Sequence, residues 1–259
     1  MSARPSTPTP SEPPLEADLA LCRSALWEAL ALGFRPPTEE AIARLATAEG
    51  SAALADAAVM VDACDGGELP ALARTLGSPP LPALTELRAE HARLFGHTAR
   101  GRVPPYETEY GEDSVFAPAR EMSDVTAFFR AFGVLVRPDA HERPDHVACE
   151  SEFMLLLARK EAHALEHGEA EIVGVTREAA SLFLRDHLGR WLPAFGARLA
   201  REDGAGFYGR LGALAAAFVA AECRRVGVTA GPPLVRLRSP EPPDAPMACG
   251  PAAEALAVE

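Results

Sequence analysis

The chain has 259 residues, a formal net charge of −12, and 48% hydrophobic but only 6% aromatic residues. That length suffices to bury a real core in one large domain or two small ones, and so acidic a surface repels phosphate backbones, which argues against nucleic-acid binding. Alanine and leucine carry most of the apolar content, which favours helices packed on helices over a β-sandwich. Cys22, Cys64, Cys149, Cys223 and Cys249 are scattered and include no C-x-x-C pair, so neither a disulfide framework nor a zinc knuckle is indicated. Cys22, Cys149 and Cys223 fall in helical patterns as small apolar residues, and reduced thiols fit the cytoplasm.

Residues 1–14 are rich in Pro, Ser and Thr and read as a disordered tail without the apolar run of an export signal. No stretch approaches the roughly 18 apolar residues of a membrane span, so stable membrane insertion is not expected and the protein reads as cytoplasmic. A helical pattern runs from about Glu16 to Phe34, with Leu19, Cys22, Leu26, Leu30 and Phe34 on one face, and Pro36-Pro37 ends it. Shorter helices are expected between Thr38 and Leu76, split by Gly50 and by Gly66-Gly67. Another follows Pro82 with Leu84, Leu87, Leu94 and Phe95 as its apolar face and stops at Gly96.

Residues 97–118 break any helical period through Pro104-Pro105 and Gly111. A helix from about Pro118 to Gly133 buries Met122, Val125, Phe129 and Phe132. The longest helix is expected from about Pro144 to His167. Proline suits a first turn, and Phe153-Met154-Leu155-Leu156-Leu157 is apolar nearly all round, so this helix reads as central. Helices over about 175–188, 190–202 and 206–226 complete an all-α single-domain bundle of about nine to ten helices over residues 15–227. Seven prolines mark 228–259 as an irregular tail, part of it able to lie on the body.

No P-loop, dinucleotide fingerprint or nucleophile elbow occurs, and the only lysine is Lys160. His163-Ala164-Leu165-Glu166-His167 matches the inverted zincin pattern H-x-x-E-H, which would let His163 and His167 share a zinc ion with Glu166 as general base. Its position at a polar helix end favours a plain solvated turn, and the expectation is no metal and no cofactor. A metal-dependent hydrolase stands as an alternative reading, as does a general helical adaptor.

The most informative stretch runs from Phe95 to Lys160. It holds Pro104-Pro105-Tyr106-Glu107-Thr108-Glu109-Tyr110-Gly111, then Phe129-Arg130-Ala131-Phe132-Gly133, then Glu142-Arg143-Pro144-Asp145-His146 followed by Glu150-Ser151-Glu152-Phe153-Met154. In order and spacing these patches resemble the TorD/DmsD/NarJ group of redox-enzyme maturation chaperones, whose hallmark is an E-x-x-D-H element before a long helix. The resemblance implies an all-helical chaperone that catalyses nothing. It would bind the apo catalytic subunit of a molybdenum-containing oxidoreductase and its twin-arginine signal peptide, holding the subunit until cofactor insertion. It places Asp145 and His146 at the client groove.

The residues themselves agree. Two guanidiniums followed by an apolar stretch need carboxylates beside an apolar groove. Between Glu107 and Asp124 stand six acids and one base, Arg120. The candidate client-binding residues are therefore Tyr106, Glu107, Glu109, Tyr110, Asp124, Phe128, Glu142, Asp145, His146 and Glu150, with the two tyrosines able to stack on guanidinium planes. Each has a plainer reading: Asp145 as a carboxylate in a first helical turn, His146 as a histidine bonded to Glu150, Tyr106 as loop packing, and the acids as a solvated face. The chain is expected to be a monomer or a homodimer swapped through a hinge near 134–143.

Overall fold

The computed structural model describes residues 16–62, 67–79, 83–96, 100–113, 116–135 and 142–239. The expected disordered tail over residues 1–14, the last part of the C-terminal tail, and most of the 134–143 hinge lie outside those residues.

Ten α-helices follow one another among the described residues: α1 Glu16–Gly33, α2 Glu39–Leu45, α3 Ala48–Asp62, α4 Leu69–Thr75, α5 Leu84–Phe95, α6 Ala117–Ala131, α7 Val147–Glu166, α8 Ala170–Asp186, α9 Leu188–Asp203 and α10 Phe207–Arg225. No strand forms there; the pairings Gly96–Arg100, Tyr106–His146 and Tyr110–Leu237 are isolated bridges. The fold class read from composition and period is the one observed.

Three boundaries differ from the sequence expectation. Gly50 does not split a helix: it sits in the first turn of α3, where its N–H donates to Thr47 Oγ1 at 3.0 Å, so the break falls at Ala46-Thr47. Among the described residues of the stretch 97–116 there is one 3-10 turn, over Glu107–Glu109, and α6 begins at Ala117. The long helix α7 starts at Val147 rather than Pro144, because the ring of His146 caps it.

Helices α1 and α7 pack along each other, as do α9 and α10. The second pair comes close because glycine faces glycine: a Cβ at Gly196 would lie 2.4 Å from the Gly212 carbonyl oxygen. No side chain fits there, so these glycines sit mid-helix despite their entropic cost. The core is aromatic at two places. Phe34, Phe95, Phe195 and Tyr208 meet at the α5–α9–α10 junction, and Phe129, Phe153 and Phe183 meet where α6, α7 and α8 converge.

A buried ion network ties α1 to α7 and α10. Arg23 is 2% exposed; its Nε donates to Glu222 Oε1 at 2.9 Å and its Nη1 to Glu161 Oε2 at 2.7 Å. Burial alone would raise the Glu222 pKa, but Arg23 and Arg225 outweigh it and hold the carboxyl at about 2. The pair therefore contributes stability that is complete above the ordinary glutamate range and is lost as pH falls toward 2. Replacing Arg23 with Met leaves Glu222 and Glu161 buried with only part of their compensation. R23M is expected to lose about 3–5 kcal/mol of unfolding free energy, read as a lower denaturation midpoint in urea at neutral pH.

Candidate functional site

Pro104-Pro105 cannot continue a helix, so the chain after Val103 runs extended across the start of α7. There it pairs with the segment leading into that helix: Glu107 N–H donates to the Asp145 carbonyl at 3.0 Å and Val147 N–H to the Pro105 carbonyl at 2.8 Å. The Asp145 carboxylate locks the two segments together. It accepts from Thr108 Oγ1 at 2.7 Å, Thr108 N at 3.2 Å, and Arg143 Nε and Nη2 at 3.0 and 2.8 Å. Arg143 in turn stacks over the Tyr106 ring, 4.5 Å from its centroid.

Asp145 is fully buried and stands two residues before α7. It is thus neither in the first helical turn nor open to the surface, and the guanidinium that Tyr106 stacks on belongs to this chain. His146 is the N-cap: its Nδ1 accepts from Ala148 N–H at 3.1 Å, and its only bond with Glu150 is through the backbone, Glu150 N–H donating to the His146 carbonyl at 3.0 Å. Burial, then the electrostatic influence of Arg35, His91 and Arg143, brings its pKa down to about 3. The ring is neutral, and Glu142 Oε2 at 3.8 Å from Nε2 makes no ion pair with it.

Behind this loop lie two buried acids. Glu150 is fully enclosed and accepts from Trp191 Nε1 at 3.2 Å; burial and the nearby charges of Glu107 and Asp145 raise its pKa well above the carboxylate range. Glu107 Oε2 lies 3.0 Å from His187 Nδ1, within hydrogen-bond reach, while His187 Nε2 is buried without a partner. Burial also pushes the neighbouring Cys149 thiol up to about 12. Tyr110 is buried against Trp191 and donates to the Pro104 carbonyl at 3.0 Å, so it is not free to stack on a ligand. Glu109 pairs with Arg100 at 2.7 Å. Of the ten candidates, Asp124 is exposed, and Tyr106, Glu109, Phe128 and Glu142 are half-buried.

Two of the ten, Asp124 and Phe128, line a cleft of about 960 Å³ between α6 and the α8–α9 junction. Ala127, Phe128 and Ala131 make an apolar wall, with Glu121 and Asp124 beside it; Arg185, His187 and Arg190 face them. Phe128 reaches inward as well, edge-on to Phe183 and His187.

Residues 228–239 run extended across this side of the body. Pro193 inside α9 has no N–H for the Gly189 carbonyl, and Gly231 N–H takes that acceptor at 2.7 Å. The approach needs glycine, since a Cβ at 231 would lie 2.1 Å from the Arg190 carbonyl oxygen. Further on, Arg238 forms a two-pronged pair with Glu121 at 2.7 and 2.9 Å.

Residues 61–197 match the model of the nitrate reductase delta subunit family. The chain belongs to this family. It is 32% identical over 139 residues to the chaperone protein TorD of Vibrio cholerae serotype O1 (strain M66-2), covering 53% of this chain and 60% of that one. It is 32% identical over 154 residues to the selenate reductase assembly chaperone protein of Thauera selenatis, covering 56% and 74%, and 36% identical over 92 residues to the chlorate reductase assembly chaperone protein of Ideonella dechloratans, covering 35% and 43%.

The delta-subunit match contains the Asp145 lock and the whole cleft, and it ends before α10 and the segment 228–239. His187 and Arg190 were not singled out from sequence, and no local signal marks them: a histidine between two helical patterns reads as a helix boundary. The H-x-x-E-H residues occupy the exposed last turn of α7, with ligand atoms within 4.8 Å of one another. His167 Nδ1 lies 2.8 Å from the His163 carbonyl. If Glu166 served as base, only two ligands would remain, and no other histidine, cysteine or acid joins them among the described residues.

The neutral His146 ring makes the fold acid-sensitive. Below about pH 6.5 the unfolded state binds a proton that the folded ring refuses until about pH 3, so stability falls with pH across that window. Asparagine caps a helix without titrating. H146N is expected to flatten the fall in unfolding free energy between pH 6.5 and 4 by roughly 1 kcal/mol per pH unit; parallel free-energy curves for the two proteins in urea titrations would remove the ring as the cause.

Proposed function

We propose that this chain is an assembly chaperone for a molybdenum-containing oxidoreductase, acting in the cytoplasm and catalysing nothing itself. It binds the apo catalytic subunit together with its twin-arginine signal peptide and holds the subunit until its cofactor is in place. The observation that carries this reading is the cleft between α6 and the α8–α9 junction. An apolar wall of Ala127, Phe128 and Ala131 adjoins the carboxylates of Glu121 and Asp124. That pairing suits paired guanidiniums followed by an apolar run. The family, and the names of relatives that assemble selenate and chlorate reductases, support it.

The candidate residues divide by exposure. Asp124, Phe128, Glu109, Tyr106 and Glu142 present surface to a client, and a net charge of −12 draws in a cationic segment. Glu107, Tyr110, Asp145, His146 and Glu150 are buried and hold the loop and the start of α7 in place. The zinc-hydrolase alternative has no comparable site, since its three residues are exposed on one helical turn.

Gentle purification of the tagged protein from its native cells is expected to bring down a reductase catalytic subunit still carrying its signal peptide. Recovery of the chain alone with stoichiometric zinc would favour the hydrolase instead. In the isolated complex, charge reversal at the exposed Asp124 (D124K) is expected to weaken client binding about three- to tenfold, mainly through the association rate, and more so at low salt. Helical circular dichroism and Tm should stay at wild-type values. An unchanged affinity at every ionic strength would take Asp124 out of the site.

A further inference from the structure

The carboxylates at the mouth of the cleft already hold guanidinium groups, and these come from the chain itself. Arg236-Leu237-Arg238-Ser239 lies alongside Glu109–Asp113 as an extended segment: Arg238 N–H donates to the Glu109 carbonyl and Gly111 N–H to the Arg236 carbonyl, both at 2.9 Å. Arg238 is 8% exposed. Besides its two bonds to Glu121, its Nη1 donates to the Thr108 carbonyl at 2.7 Å and its Nε to the Glu112 carbonyl at 3.0 Å. Arg236 reaches Asp113 at 3.1 Å, and Ser239 N–H bonds the same carboxylate at 2.8 Å.

Three features separate this arrangement from a simple staple. Glu121 belongs both to the arginine seat and to the cleft, so the seat opens directly onto the apolar wall. His187, which lines that cleft, keeps its Nε2 buried and unpartnered, a polar group with nothing yet to bond. The segment is held unevenly: two backbone hydrogen bonds, the buried Arg238 side chain and an Arg100 Nη1 donor to the Arg238 carbonyl at 2.8 Å secure it, while the Arg236 side chain is 72% exposed and its ion pair contributes little. Upstream, the Gly231–Gly189 bond anchors the chain independently, so residues 236–239 can leave while 228–231 stay.

We propose that Arg236–Ser239 is a built-in placeholder for the client's arginines. It fills the guanidinium seat of Glu121, Asp113 and the 108–112 carbonyls when no client is present, and an incoming paired-arginine segment displaces it and runs on into the cleft. This rests on the reading that a twin-arginine segment binds here. The placeholder lowers apparent affinity by the fraction of molecules in which the seat is open, and it screens out peptides that lack guanidinium, because only a two-pronged donor matches Glu121.

The test uses the full chain and fluorescent synthetic peptides: two consecutive arginines followed by a leucine–alanine run, and the same peptide with paired lysines or paired alanines. R236A/R238A is expected to bind the arginine peptide about tenfold more tightly than wild type, with the lysine and alanine peptides weaker on both proteins. Equal affinity of wild type and variant for the arginine peptide, with discrimination intact, overturns the placeholder and leaves the recognition reading standing. Failure of both proteins to distinguish arginine from alanine overturns both. Should the variant lose its helical signal, hydrogen exchange in the wild type decides. The Gly111 and Arg238 amides are expected to lose protection when arginine peptide is added, and unchanged protection overturns the proposal.

Discussion

The geometry of the site depends on one buried carboxylate. Asp145 is closed off from solvent, and it is held by Arg143 and by both polar groups of Thr108. A carboxyl in that position is tolerable only because both oxygens are bonded, Oδ1 by Arg143 and Oδ2 by Arg143 and Thr108. Its effect is to fasten the extended 104–110 segment to the approach of the longest helix, two stretches some 37 residues apart in sequence. The 3-10 turn, the Glu107–His187 contact and the position of Glu109 all follow from that fastening. Without it, the segment has only its prolines to keep it extended.

Helices were legible because their signals are local. Apolar period, Pro36-Pro37 and the stop at Gly96 place α1 and α5 to within a residue or two. The errors arose where a side chain from elsewhere, or a cap, decided the matter. Gly50 looked like a breaker, but Thr47 supplied a cap three residues earlier. Pro144 looked like a first turn, but the neutral His146 ring took the cap. The acidic stretch and the Asp145-His146 pair were also visible in the sequence. What could not be read was direction: Tyr110, Glu150 and Asp145 face inward because Trp191, Thr108 and Arg143 receive them there. His187 and Gly231 carry no sequence signal, since their roles come from partners 80 and 42 residues away.

Charge is organised differently inside and outside. Arg23 sits within the bundle, neutralised by Glu161 and Glu222. The acids near the cleft form a different group, in which Glu109 is partnered by Arg100, Asp113 by the exposed Arg236, Asp124 by the exposed Arg120 at 3.7 Å, and Glu121 by the buried Arg238. The buried network fixes helices that must not move. The surface pairs are of the kind that exchange partners at small cost. The molecule thus combines a rigid frame with one side where bonds can be traded.

The proline in α9 has a consequence in time. Because Pro193 cannot bond the Gly189 carbonyl, that acceptor waits until residue 231 has been synthesised. Every other group that receives the segment 228–239 also precedes it in the chain: Thr108, Glu109, Asp113 and Glu121. During translation the acids and carbonyls that form the seat are therefore synthesised before the arginines that occupy it.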